Sequence, residues 1–305
     1  MRAFRARDGF ALLAVLWMLG GGAALGALLV LSTRDAQQVA INRVDLARAR
    51  WIAEGCVERA RAAVDEWTGS GAIDDSVWAH LGRVVRASPI TRGCDLVIEP
   101  VGITLDVNHA DDATLRRFFT SAGLSATVAD SLVDAVLDWR DPDDDPRVSG
   151  AERRWYDHAG RLPPRNADIA SAEELATIRG LEKRPEIVCM LGTTPSRIVL
   201  GYAPVPVLAA LPGVTPAALA ELERRRAVGD SVIDVQRLAV ALDSVARGTL
   251  LDKLSALNEL ATALPDDWTI AARASAGTKR PSASLELRVV RSGRRLAILG
   301  RRSDS

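Results

Sequence analysis

The sequence predicts an α+β fold in which a long N-terminal transmembrane and stalk helix packs on an antiparallel sheet, with a large all-α domain inserted between the strands. Three observations carry this reading. An uncharged run extends from Gly9 through Thr33 behind a short basic leader (Arg2, Arg5, Arg7). Strand-like alternation appears at Cys94–Asp106, vanishes, and returns only after Trp268. The intervening segment repeats a helix-turn-helix pattern.

The uncharged run exceeds the roughly 20 apolar residues needed to cross a bilayer, and the apolar region of about 7–15 residues of a cleaved secretory signal. Arg34 follows with no break in helical pattern. Positive charge before the run places the N-terminus in the cytoplasm and the chain beyond Arg34 on the other side. Gly9-Phe10-Ala11-Leu12-Leu13 after a basic leader resembles a signal cut by a prepilin peptidase between Gly9 and Phe10. Such a cut keeps the apolar helix. Asp8 departs from the usual basic residue, and Ala14 holds the fifth place after the cut, where pilin-like subunits generally carry glutamate.

From Arg34 to Trp67 the chain stays helical, without proline and with one internal glycine, Gly55. Val39, Ala40, Val44, Ala47, Trp51 and Val57 recur at helical spacing opposite Arg48, Glu54, Glu58 and Arg61, so they are the expected sheet-facing side. Gly69-Ser70-Gly71 stops the helix. Cys94–Asp106 reads as two strands around a Pro100-Val101-Gly102 turn, and Trp268–Ala274, Ser284–Arg291 and Arg295–Gly300 read as the strands that close the same sheet.

Between them, Ala110–Arg116 with Ala122–Ser125, Ala170–Leu181, and Ala203–Ala220 form degenerate copies of one another. Each reads as a capped helix, a glycine-containing turn and a second helix, the helix-hairpin-helix pattern. The expected organisation is a leader at 1–9, a membrane helix at 10–33, stalk and first strands at 34–107, the inserted helical domain at 108–263, and closing strands at 264–305. Helix-hairpin-helix turns often hold DNA phosphate, which leaves a membrane-anchored DNA-uptake protein as the rival function. Against it, Lys+Arg and Asp+Glu both number 39, for a net charge of +0. That balance lacks the basic footprint of general nucleic-acid binding. The first copy also leads into a run of aspartates.

That run is the densest chemistry in the chain. Counting Asp141 as one, carboxylates stand at one, three, five and twelve (Asp141, Asp143, Asp145, Glu152), with Ser149 at nine and the Arg147 carbonyl at seven. These are the positions from which an EF-hand loop wraps calcium, although Pro146 replaces the glycine at six. Asp138 and Asp157 are outer candidates, Asp134 on the preceding helix stands apart, and the alternative is a solvated acidic loop. No enzyme reading gathers support: His80, His109 and His158 show no pairing with a Ser or Cys nucleophile, and no glycine-rich phosphate loop follows a strand. Three cysteines (Cys56, Cys94, Cys189) fit no metal spacing and allow one bridge or three buried thiols.

In their order, these parts resemble the K-type minor pseudopilins of bacterial type II secretion systems. The residues that carry the likeness are Gly9-Phe10 without the following glutamate, Ala47–Gly55 in the long helix, Leu105–Asn108, Asp138–Arg147, the Leu211–Thr215 hairpin and the C-terminal strands. The resemblance implies a pilin-like sheet domain and a non-enzymatic, methylated subunit at the tip of a periplasmic pseudopilus, anchored in the inner membrane. It also implies prepilin peptidase processing, I-type and J-type pseudopilin partners, no nucleic acid, and bound calcium. In a pilin-like domain the long helix and first strand pack face to face, which makes a Cys56–Cys94 bridge the sensible pairing. Gly22–Gly26 is a small-xxx-small face for another membrane helix.

Overall fold

The computed structural model describes residues 7–68, 73–277, 281–293 and 295–304. Leader residues 1–6 and the Gly69-Ser70-Gly71 stop lie outside the described residues, as do the side chains of Gly9 and Phe10.

Helix α1 (Arg7–Thr68) is continuous over 62 residues, about 90 Å at the helical rise. Its N-terminal half includes a stretch of mean hydropathy 2.1, long and apolar enough to cross a membrane, with none of it buried. Trp17 is 76% exposed there. The C-terminal half buries one line of mostly small residues: Ala49, Ala53, Cys56, Val57, Ala60 and Val64. This corrects the expected packing side. Val39, Val44 and Trp51 are exposed, Ala40 and Ala47 likewise, and Val57 alone of that set is in the core. Alanines admit two strands close to the helix axis, so the small stripe takes the sheet and the bulky apolar stripe is left bare.

After α2 (Asp75–Ala79) and α3 (Leu81–Ala87), strand β1 (Asp95–Pro100) opens the sheet. Its partners come from the C-terminus: β6 (Asp267–Ser275), β7 (Ser282–Ser292) and β8 (Arg295–Asp304). The order is β1-β6-β7-β8, antiparallel throughout. Alternate residues on β6 (Trp268, Ile270, Ala272) and β7 (Leu285, Leu287, Val289) face α1 and form one core with it. Burying a side chain of this size contributes about 1.5–3 kcal/mol.

Leu105–Asp106 does not return onto β1 as expected. This β2 pairs in parallel with β3 (Leu191–Gly192) inside the insert. Gly102 has φ +95 and lies so close to the Arg197 carbonyl that a Cβ would stand 2.0 Å from it. Only glycine permits that approach. It carries the chain away from β1, whose ladder β6 fills.

The insert has its own core. Helices α4 (Asp112–Ser121), α5 (Ala126–Arg140), α6 (Arg153–His158), α7 (Ala172–Leu175) and α8 (Pro185–Val188) precede β3. Strand β4 (Ile198–Val199) leads to α9 (Val205–Ala210), α10 (Pro216–Ala227), α11 (Val235–Ala241), α12 (Ser244–Asp252) and α13 (Leu254–Leu260), and β5 (Ala261–Thr262) ends it. Two short parallel pairs, β2 with β3 and β4 with β5, therefore qualify the all-α expectation. Side-chain caps start the helices: Asp111 accepts from Thr114 N, Thr215 from Ala218 N, and Asp243 from Ala246 N.

The first and third copies of the repeat are helix pairs, α4 with α5 and α9 with α10. The second is built from four-residue helices. At the third turn, Gly213 (φ +76) packs on α12, where a Cβ would lie 3.0 Å from the Thr249 carbonyl oxygen. The basic residues that follow are engaged: Arg224 and Arg225 pair with Glu221, and Arg226 donates to the Leu200 carbonyl. Insert and sheet domain are tied by the Tyr202 hydroxyl donating to the Ala79 carbonyl (2.5 Å), and Trp78 Nε1 donates to the Pro265 carbonyl (2.6 Å) just before β6.

Candidate metal centre

Helix α5 delivers Asp138 and Trp139 into the core, and the chain then doubles back over the helix before α6 begins. Pro142 and Pro146 keep this return from continuing the helix. It is pinned by backbone donors: the Ser149 N–H to Asp134 Oδ2 (2.9 Å) and the Arg147 N–H to Asp138. Gly150 passes so near Asp138 that a Cβ would lie 1.9 Å from Oδ2, so the fold admits no side chain there.

This path brings Asp141, Asp143 and Glu152 together, each offering a carboxylate oxygen within 4.8 Å of the others. Glu152 is 2% exposed, and neither of its carboxylate oxygens has a partner. Asp141 Oδ1 is also buried and unpartnered. Unpaired buried polar atoms are costly. Burial raises the Glu152 pKa to about 7, with the charges of Asp138 and Asp141 adding to it. Burial likewise raises Asp138 to about 6 against the lowering effect of the Arg147 N–H, and it raises Asp141 with help from Asp143. A cation would be favoured at this place, and a donor set made only of oxygens suits a hard one.

Not every expected ligand joins the group. Asp145 is exposed and outside it, its backbone N–H donating to Asp143 Oδ1. The Arg147 carbonyl accepts from the Gly150 N–H, while its guanidinium pairs with Asp138 (3.4 Å) and Asp141 (3.6 Å). Asp157 is exposed, and Asp134 is bound into the loop instead of standing apart. One contributor escaped the sequence reading. Asn166, at φ 53, donates Nδ2 to the Asp143 carbonyl (2.6 Å) and to Asp144 Oδ1 (3.0 Å), and its own Oδ1 is buried without a partner. No local motif marks it; asparagine's tolerance of the left-handed region is the only signal.

Two further placements bear on function. Cys56 on α1 and Cys94 before β1 are joined, with Cα atoms 5.5 Å apart, while Cys189 is free and exposed. His80 does meet a serine, contrary to expectation: Nε2 lies 2.8 Å from Ser231 Oγ and Nδ1 2.9 Å from the Ser76 carbonyl. The partners are far apart in sequence. The pair bridges the sheet domain to the insert, and a backbone carbonyl stands where a catalytic triad has its acid.

A long bare apolar helix, a sheet packed on its outer half and a helical insert between the strands are the architecture expected of a pilin-like subunit with a single N-terminal anchor. Residues 98–186 match the family model described as Type II secretion system (T2SS), protein K. This family is a component of the type II secretion machinery. The fold is similar to that of a chain in the crystal structure of the GspK-GspI-GspJ complex from the type 2 secretion system of enterotoxigenic Escherichia coli. The TM-score is 0.56 at 13% identity, covering 90% of this chain and 99% of that one, so the likeness is one of fold. No curated protein matches. The resemblance to a K-type minor pseudopilin is thus supported both by the family match and by the fold, and the N-terminal helix fits the single-pass anchor of such a subunit.

Proposed function

We propose that this chain is a non-enzymatic minor pseudopilin that caps the tip of the type II secretion pseudopilus and supports export of folded proteins across the outer membrane. Its N-terminus is cytoplasmic, its bulk periplasmic, and prepilin peptidase releases the leader before Phe10. The observation that carries the tip placement is Ala14. In a helical pilus each buried glutamate pairs with the terminal amine of the neighbour toward the tip. A charge at the bilayer centre costs about 2.5–3.5 kcal/mol on the lenient scale. A subunit with alanine there brings no carboxylate that needs a neighbour above it. The bulk of the insert supports the same reading, because a cap tolerates a domain that a packed stack does not.

The partners on this reading are I-type and J-type pseudopilins, which meet the bare apolar half of α1 and the exposed stripe Val39, Val44 and Trp51. Calcium at Asp141, Asp143 and Glu152 is a structural cofactor. It neutralises the repulsion among the carboxylates and holds the return of the chain over α5. The hairpin turn at Gly213 serves packing, since α12 occupies the face that a phosphate would approach. Deleting the gene in its own host should abolish release of the secreted proteins into the medium. The intact chain should restore it and Ala14→Glu should restore it poorly; full secretion without the chain would overturn the proposal.

A further inference from the structure

A cavity of about 590 Å³ lies at the root of the insert, where its first and last segments meet. Its floor is buried and apolar: Leu105 of β2, Ala110 before α4, Ile198 of β4, and Ala210 and Leu211 at the end of α9. Pro195, Glu259 and Leu260 are exposed at its rim. The volume is that of a ligand pocket, about 300–1,000 Å³. An apolar floor under a polar rim is also how interfaces seat one anchoring side chain.

The charge of the lining is unequal. Four carboxylates (Asp106, Asp111, Glu259 and Asp266) face one guanidinium, Arg197, and one imidazole, His109. Arg197 is balanced by Asp266, to which it donates through Nε (3.1 Å) and Nη2 (2.5 Å). His109 Nδ1 lies 2.6 Å from Asp106 Oδ2, and Asp111 Oδ1 accepts the Thr114 N–H (2.8 Å) at the start of α4. Neither Arg117 nor Arg140 lines the cavity; Arg117 donates to the Ala210 carbonyl and Arg140 to those of Val107 and Ala110. Glu259, on the last turn of α13, differs from the other three acids: among the described residues it has no ion pair or hydrogen bond.

We propose that this cavity receives an arginine side chain presented by a loop of a partner protein. The aliphatic stem lies on Leu105, Ile198 and Leu211, and the guanidinium meets Glu259 at the rim. Long cationic side chains bury the stem on apolar surface and keep the head among polar groups. Arginine suits the place better than lysine, because its weakly hydrated planar fork matches a carboxylate. The occupant is cationic because acids outnumber bases in the lining and the one charge left unpaired there is negative. It is carried on a protein because the rim itself exposes apolar surface, Leu260 being 49% exposed, which the loop around the arginine covers. The cavity shares no residue with the acidic loop or with α1, so failure here leaves the proposed assembly role and the calcium site standing.

Full-length protein in non-ionic detergent micelles, labelled at isoleucine methyl groups, is titrated at low salt with two glycine–serine heptapeptides. One has a central arginine and the other a central citrulline, which has nearly the same shape without the charge. The Ile198 methyl resonance, assigned with Ile198→Val, should shift with the arginine peptide, and the citrulline peptide should bind at least fivefold more weakly. Glu259→Gln, an exposed change, should melt as the parent does and lose that preference. Free agmatine is the third probe and should bind no more tightly than the arginine peptide. An unmoved Ile198 resonance, equal binding of the two peptides, a preference that survives Glu259→Gln, or binding of agmatine alone would each overturn the proposal. If Ile198→Val does not fold, calorimetric titration of the two peptides into parent and Glu259→Gln decides.

Discussion

Asp141 and Glu152 stand at opposite ends of the acidic loop, yet the fold brings their carboxylate oxygens within 4.8 Å of one another. Neither Glu152 oxygen has a hydrogen-bond partner, and the Glu152 pKa rises from its ordinary 4.5 to about 7. A carboxyl held above its unfolded value stabilises the fold most where it is protonated. That contribution fades as pH climbs through the folded value. In chelator, the melting temperature should therefore fall between pH 5 and pH 8, and Glu152→Gln should flatten the slope. Added calcium should stabilise more at pH 8 than at pH 5, because it competes with the proton for the same oxygens.

Asp143→Ala or Glu152→Ala should remove most of the calcium response. Ligand binding to the folded state alone is worth about 2.7 kcal/mol at a hundredfold excess over Kd. The comparison is the melting temperature in millimolar calcium against chelator. Asp130→Ala, an exposed partner of Arg116, should leave the response intact. Asp134 is no neutral control, since it accepts from the Ser149 N–H of the loop. A melting curve that several millimolar calcium leaves unmoved would make the loop a solvated turn.

The Cys56–Cys94 bridge spans a sequence separation of 38 and fastens α1 to the start of the sheet. Constraining the unfolded chain by that length is worth about 3–4 kcal/mol in the chain-entropy estimate. Cys56→Ser with Cys94→Ser should lower denaturant stability by that order. Peptide mapping of periplasmic protein should recover the linked pair and a free Cys189.

The proposed processing at Gly9-Phe10 would leave a chain that begins at Phe10 and remains in the membrane. N-terminal sequencing of detergent-extracted protein should find that start. A mature chain beginning near Ser32 would mean ordinary secretory cleavage and would remove the pseudopilin assembly step.

Gly213→Ala should destabilise the protein by about 1–2 kcal/mol, the cost of a left-handed backbone for an L-residue, with crowding against Thr249 and Lys253 added. Gly123→Ala, at φ +87 with open space around it, should show the backbone cost without the crowding. Thermal melts of the two variants make the comparison.

Several features were legible in the residues because they are local. The membrane run, the uninterrupted helix and the strand alternation after Trp268 each follow from a pattern that needs no distant partner. The acidic loop was visible for the same reason, and two of the acids it gathers, Asp141 and Glu152, follow from spacing alone. The side of α1 that meets the sheet did not follow. Hydrophobic periodicity favoured Val44 and Trp51, whereas the strands settled on Ala49, Ala53 and Ala60. Periodicity registers greasiness, and close approach of a sheet to a helix rewards small volume.

By itself, then, the sequence determined a helix long and apolar enough to cross a membrane, a sheet divided by an insert, and a cluster of acids with the spacing for a cation. Only the tertiary structure decided which of those acids are desolvated and unpaired, that Asn166 closes the loop, that His80 meets Ser231, and that Leu105–Asp106 joins the insert and not the sheet. Each of these depends on residues distant in the chain meeting at one place. Burial, pairing and raised carboxyl pKa values arise only from that meeting, so no local pattern encodes them.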